Sequence, residues 1–211
     1  MSRKVITALA ASMLSLNAVA QPVWNRLLSS ISGKCLEFQY DMSAGGNASS
    51  GSVMLQGDAY KLSLGESAEY CDGTTLWYVD GATKEVTIEQ ATNSDATSSA
   101  VDPSLMIAQL DRYFKAVSSA NVSENGKSLV RVDFQALRTH GSTPYGISSL
   151  RIWFKDSPAS PVIVKAVMTA KDGQTMTFRI PSMSVSAPLP KSSFVFDTKG
   201  LKPGWTVNDL R

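Results

Sequence analysis

The sequence holds one histidine and two cysteines in 211 residues. That is too few for a zinc or other transition-metal ligand set of ordinary spacing. The histidine, His140, sits in a polar turn, RTHGSTPYG, where a solvated side chain is the ordinary outcome. No nucleophile elbow occurs, since Gly146-Ile147-Ser148-Ser149-Leu150 breaks the G-x-S-x-G pattern at its last position. No phosphate-cradling glycine loop leads into a helix, so no cofactor is implied. The carboxylates are scattered, and turn chemistry accounts for Asp72 and Asp80. An enzyme is therefore not expected. A hydrolase that uses two acids brought together by distant strands is the one enzymatic alternative.

A long apolar run is also missing after the first 20 residues, and those residues read as a targeting segment. Arg3 and Lys4 form a positive start, Val5–Leu16 is apolar but short for a membrane span, and Ala18-Val19-Ala20 supplies small residues before Gln21. A signal peptide over 1–20 predicts an exported, periplasmic protein, with one domain over 21–211. Without Arg3 and Lys4, the 20 basic residues become 18, matching the 18 acidic ones. A chain so balanced has no electrostatic case for nucleic acid or an anionic membrane surface. Export permits a disulfide between Cys35 and Cys71, and the sequence leaves pairing and two separate thiols both open.

Hydrophobic periodicity is abundant. Trp24, Leu27, Leu28 and Ile31 fall at helical spacing after Pro22, and Gly33 ends the pattern. The period then becomes two. Leu36, Phe38 and Tyr40 alternate with polar residues, and so do Val53 and Leu55, Tyr60 to Leu64, Ala68 to Cys71, Leu76 to Val79, and Val86 to Ile88. Gly45–Gly51 reads as a polar hairpin loop, and glycine turns separate the other runs. Residues 91–101 read as a mobile loop. Met106, Leu110, Phe114 and Val117 predict an amphipathic helix over 103–117, with Leu105 and Tyr113 widening its face. Three more alternating runs follow, around 130–136, 150–154 and 175–180, and 162–170 is more continuously apolar. Pro181, Pro188 and Pro190 mark a loop or edge, and a last short strand falls near Trp205–Val207. This is a mainly β, α+β chain of 10–11 antiparallel strands with two helices.

Such a sheet must bury its apolar face. The two helices can fill the concavity, or they can cover a hollow that accepts a ligand; periodicity alone leaves both open. Met54, Met106, Met168 and Met176 suit either an adaptable cavity wall or an ordinary core.

Two stretches go further. Asp72-Gly73-Thr74-Thr75-Leu76-Trp77-Tyr78 is followed by the strand Glu85-Val86-Thr87-Ile88, and Phe194-Val195-Phe196, Pro203-Gly204 and Val207-Asn208-Asp209-Leu210-Arg211 close the chain. In this order the stretches resemble the LolA family of periplasmic lipoprotein carriers, with Asp72, Gly73, Leu76, Trp77, Asp209 and Arg211 at its motif positions. The resemblance implies an incomplete barrel with helices as a lid over an apolar cavity. It implies a cargo of acylated lipoprotein or another lipid, an ATP-driven extractor in the inner membrane, and an acceptor in the outer membrane. A monomer is expected. Where the family places an Arg-Pro step that aids lipid release, this chain has Gln56-Gly57, with Lys61 nearby on the other strand face. That departure leaves a lipid- or lipoprotein-sensing envelope regulator of the same fold as an alternative.

The cavity residues expected on this basis are Leu55, Tyr60, Leu62, Leu76, Tyr78, Phe134, Ile152 and Phe178 from the sheet, and Leu105, Met106 and Leu110 from the lid. Alternation shows two faces for the Leu76–Val79 strand. It leaves open whether Leu76 and Tyr78 or Trp77 and Val79 point inward.

Overall fold

A computed structural model of the chain describes residues 20–91, 107, 110–137, 146–158 and 160–211. The expected leader (1–19), most of the expected loop at 91–101, the start of the expected helix with Leu105 and Met106, and His140 lie outside the described residues. The elements are α1 (Ala20–Ile31), β1 (Cys35–Ala44), β2 (Asn47–Gln56), β3 (Ala59–Leu64), β4 (Ser67–Cys71), β5 (Thr75–Asp80), β6 (Glu85–Gln90), α2 (Leu110–Tyr113), β7 (Phe114–Glu124), β8 (Lys127–Ala136), β9 (Ile147–Lys155), β10 (Val162–Ala170), β11 (Thr175–Ser186) and β12 (Thr206–Asp209).

All twelve strands form one open sheet in the order β12-β6-β5-β4-β3-β2-β1-β11-β10-β9-β8-β7. Each neighbour is antiparallel except β12, which runs parallel to β6. The expected antiparallel meander holds, with twelve strands rather than 10–11. Side chains on one face align in rows across the ladders. Met183, Phe38, Val53 and Leu62 make one row, and Val185, Leu36, Leu55, Tyr60, Cys71 and Leu76 make the next. In the other half of the sheet Phe178, Ala166, Ile152 and Val132 form a row, as do Met176, Met168, Leu150 and Phe134. These rows belong to one hydrophobic cluster, which the buried α1 residues Val23, Trp24 and Leu27 join.

The opposite face of β4–β6 is covered differently. Trp77, Val79, Val86 and Ile88 pack there against Phe196, Leu201 and Trp205 of the C-terminal segment. A second patch buries Cys35, Ala59 and Phe194. The segment after β11 is therefore a strap that crosses the outer face and ends as the edge strand β12.

Three local expectations are corrected. The helix predicted over 103–117 has ended by Tyr113, and Phe114–Glu124 is strand β7. Phe114 is buried at the helix–strand junction, whereas Val117 is 46% exposed at a register shift in the β7–β8 pairing. The polar stretch at Gly45–Gly51 is not a loop: Gly45 and Gly46, at φ +55° and +85°, make a two-residue turn, and strand pairing resumes at Asn47. The Phe194–Phe196 stretch, which the family resemblance implies as a strand, is instead a 3-10 turn, Lys191–Phe194, leading into extended chain.

Pro181 lies inside β11 and marks a fault in the sheet. Between Arg179 and Ser182 the β1–β11 ladder shifts register, and between Ile163 and Lys165 the β9–β10 ladder does the same. Bulges bend strands and break pairing, and proline has no N–H to donate. The β10–β11 ladder runs only from Lys165–Arg179 to Thr169–Thr175, so the start of β10 and the end of β11 part company. In the gap the Ile163 N–H donates to Met183 Sδ at 3.3 Å, a side chain standing where a strand carbonyl would be.

Phe154, fully buried on β9 at the centre of the main cluster, tests this packing. Phe154→Ala is expected to lower stability by about 3–5 kcal/mol, read from the midpoint of a urea unfolding curve.

Candidate functional site

The concave face is the candidate site, because its apolar rows are met by a helix rather than by a second sheet. Trp24 of α1 reaches into the concavity and stands edge-on to Phe134 and Phe154, with ring centroids 5.8 and 6.2 Å away. Two contacts anchor α1 at its rim. Arg26 pairs with Asp156, and Ser160 Oγ donates to Ser30 Oγ at 2.9 Å. Both charged partners are substantially exposed, so this anchor is worth at most about 1 kcal/mol. The helix is held chiefly by its buried Val23, Trp24 and Leu27.

Beneath Trp24 an apolar cleft remains, lined by Phe38, Ile107, Leu150, Ile152, Ile163, Ala166, Met168, Phe178, Ile180 and Met183. Its free volume is about 40 Å³, roughly a tenth of the 300–1,000 Å³ usual for a ligand site. A small, dry cleft of this kind loses dispersion contacts along its walls without gaining water. Displacing Trp24 and its helix is the route by which the space could grow.

Of the residues expected to line a cavity, Ile152 and Phe178 border the cleft. Leu55, Tyr60, Leu62, Leu110 and Phe134 are buried in the same cluster, and Leu76 packs half-buried against it. Tyr78 is half-buried and shares the Leu76 face by alternation. Trp77 and Val79 point the other way, under the strap. The sequence pattern does not single out Trp24, Phe38, Ile163 and Met183 as site residues. A tryptophan on the apolar stripe of a short helix is the one available signal for the plug.

Among the described residues, two buried polar side chains enter the inner face of the sheet: Glu69, and Ser119 opposite Val132. Glu69 is 6% exposed, sits between Leu62 and Tyr78 in the ladders, and accepts a hydrogen bond from Tyr60 Oη at 2.5 Å. A carboxyl buried there needs such a donor to offset its lost hydration.

The possible disulfide is excluded. Cys35 and Cys71 are both free and buried, on β1 and β4. Those strands are three ladder steps apart, roughly 14 Å at the usual spacing, and a bridge needs Cα atoms within about 7 Å. The two thiols also face different clusters, one outer and one inner. Burial pushes both thiols above their ordinary range.

The motif residues build the far end of the sheet. Asp72 Oδ1 accepts from the N–H of Thr74, the Thr74 hydroxyl and the N–H of Thr75, each at 2.8 Å, while Gly73 takes φ +93°. This turn joins β4 to β5. At the chain's end Arg211 grips Asp209 through Nε at 2.9 Å and Nη2 at 2.7 Å, which holds the Asp209 carboxyl down at about 2. The Asp72 charge also reaches Arg211, so both halves of the motif lie at one end of the sheet.

Gln56, at the expected release position, has a structural partner. Its amide nitrogen donates to Leu189 O at 3.0 Å and its amide oxygen accepts from Leu189 N at 2.7 Å, clasping the strap to β2. Lys61 lies with its Nζ 4.9 Å over the Tyr70 ring, on the strap side. Neither position supplies a cation to the concave face.

No family model and no curated protein matches the chain. Its fold does match solved structures. An uncharacterized conserved protein from Thermus thermophilus superposes with a TM-score of 0.57 at 8% identity, over 90% of this chain and 98% of that one. A LolA superfamily protein from Nitrosomonas europaea matches at a TM-score of 0.46 and 12% identity, over 84% of this chain and 97% of that one. The MucA/MucB complex of Pseudomonas aeruginosa contains a chain matched at 0.39 and 13% identity, over 86% of this chain and 62% of that one. All three are at 13% identity or below, and the Thermus thermophilus structure carries the likeness, which is one of fold.

The Asp72 turn makes a pH prediction. Burial alone would raise its carboxyl, but the bonds from Thr75 and Thr74, with Lys191 nearby, outweigh burial and hold it below the usual range. A carboxyl depressed on folding adds stability above its unfolded value and loses it as pH falls through the folded one. Asp72→Ala is expected to cost about 1 kcal/mol near neutral pH, discounted for the turn's exposure. The gap between wild type and variant should close as unfolding curves are taken to pH values below the native carboxyl's range.

Proposed function

We propose that this protein shelters hydrocarbon in the concave face of its sheet, as a periplasmic carrier of lipoprotein acyl chains or of another lipid. The observation that carries the reading is the plug. Among the described residues, a continuous apolar surface spanning both halves of the sheet is covered by the short helix α1 with Ile107 and Leu110, rather than by a second sheet. Each CH₂ left in water costs about 0.8 kcal/mol, so an acylated anchor needs such a shelter to cross an aqueous space. The rows can take up the contacts of Trp24 and Leu27 with an acyl chain in their place, which keeps uptake and release near balance.

The signal peptide expected over residues 1–20 supports a periplasmic location, and the family resemblance supports an inner-membrane extractor and an outer-membrane acceptor as partners. The reading is one of binding, with no reaction catalysed. Sensing a lipid instead of delivering it is favoured by one feature: Gln56, standing where the family has its release arginine, is occupied in clasping the strap.

Organic extraction of the protein purified from its native compartment, followed by mass spectrometry, is expected to yield acyl-bearing species in near-stoichiometric amount. The stripped protein should take up a fluorescent acyl probe, and Trp24→Leu should speed uptake severalfold at a stability cost of about 2 kcal/mol. A protein that emerges empty and ignores the probe would contradict the reading.

A further inference from the structure

The fault between β10 and β11 joins two spaces of opposite character. On the inner side the apolar cleft reaches the gap at Ile163, Ile180 and Met183. On the outer side a groove of about 670 Å³ lies over the same gap and shares Ile180 as its floor. The tip of the β7–β8 hairpin forms its far wall. The groove carries Lys127, Lys155, Lys165 and Arg179 against Asp41 and Glu124.

The charges are not balanced within it. Glu124 is taken by Lys165 at 2.7 Å, and Lys165 also lies 4.5 Å over the Trp153 ring. Asp41 accepts from Ser50 Oγ at 2.7 Å and stands opposite Arg179 in the β1–β11 ladder. Among the described residues, Lys127, Lys155 and Arg179 form no ion pair. An excess of cations at the mouth of an oily slot suits one chemistry: an alkyl chain ending in an anion.

We propose that the fault is a lateral portal, through which a single-chain amphiphile places its hydrocarbon in the cleft and leaves an anionic head, carboxylate or phosphate, on Arg179 and Lys155 in the outer groove. The slot can widen because no strand hydrogen bonds cross it. The hydrogen bond from the Ile163 N–H to Met183 Sδ spans it, and a methionine side chain moves readily. The portal rests on the proposed hydrocarbon-sheltering role of the concave face. It adds where the ligand enters and what head it bears.

Binding of palmitate, hexadecyl phosphate and uncharged hexadecanol, each below its aggregation concentration, tests the portal. The wild-type chain is expected to bind at least one of the two anionic probes about tenfold more tightly than hexadecanol, with the preference shrinking as salt is raised. The double variant Arg179→Gln/Lys155→Gln alters two exposed side chains, and its fold is checked by its melting curve. It should lose that preference and still bind hexadecanol as the wild type does. Equal binding of all three probes, unchanged in the double variant, would overturn the portal while leaving the sheltering role in place. Failure to bind any of the three would overturn both.

Discussion

Everything in this structure follows from a sheet with one long apolar face and, among the described residues, no second sheet to bury it against. Twelve strands curve so that aromatic and aliphatic rows from both halves meet on the inner side. Among the described residues, α1, Ile107 and α2 are what covers them. The central contact is therefore the edge-on insertion of Trp24 between Phe134 and Phe154. It closes the concavity with one large side chain on one short helix, at a place where the remaining cleft is dry and tight. Cover of that kind is strong in total area and local in attachment, so it can be removed as a unit without unpicking the ladders.

The outer face solves the same problem in a different way. There the chain lays its own C-terminal segment across β1–β6, pins it with the Gln56–Leu189 clasp, buries Phe194, packs the half-buried Phe196 and Trp205 against the sheet, and finishes by pairing β12 with β6. The strap is stitched to the sheet along its length, whereas α1 is held by its apolar stripe and a few rim contacts. That contrast assigns the fixed cover to the outer face and the movable one to the inner face.

Much of the fold was legible because half-buried strands declare themselves by period two. The β2–β6 part of the meander is read from Tyr60-Leu62 and Leu76–Val79, with β1 from Leu36-Phe38-Tyr40, and the glycine turns after β2, β3, β4 and β5 fall where expected. The misreadings occur where the pattern carries no information. Met106, Leu110, Phe114 and Val117 fit a helical period as well as a helix-to-strand change, and the strand that follows Phe114 is mostly Ser, Ala and Asn, which show no alternation. The tips of β1 and β2 are small polar residues exposed to solvent, so they resemble a loop. Pro181 reads as a strand end, but neighbouring bulges let the strand continue around it. Which face of β5 turns inward, and that Cys35 and Cys71 lie in different clusters, depends on where α1 and the strap come to rest. Those are contacts between segments far apart in the chain, and no local pattern holds them.

If Trp24 and α1 are a removable plug, the helix must open without the sheet. Hydrogen exchange followed by mass spectrometry, with and without a long-chain acyl probe, reports this directly. The account predicts that α1 amides exchange faster than those of β1 and β9 in the free protein, and faster still with the probe bound, while the sheet amides slow. Exchange of α1 only in step with global unfolding, unaltered by the probe, would contradict it.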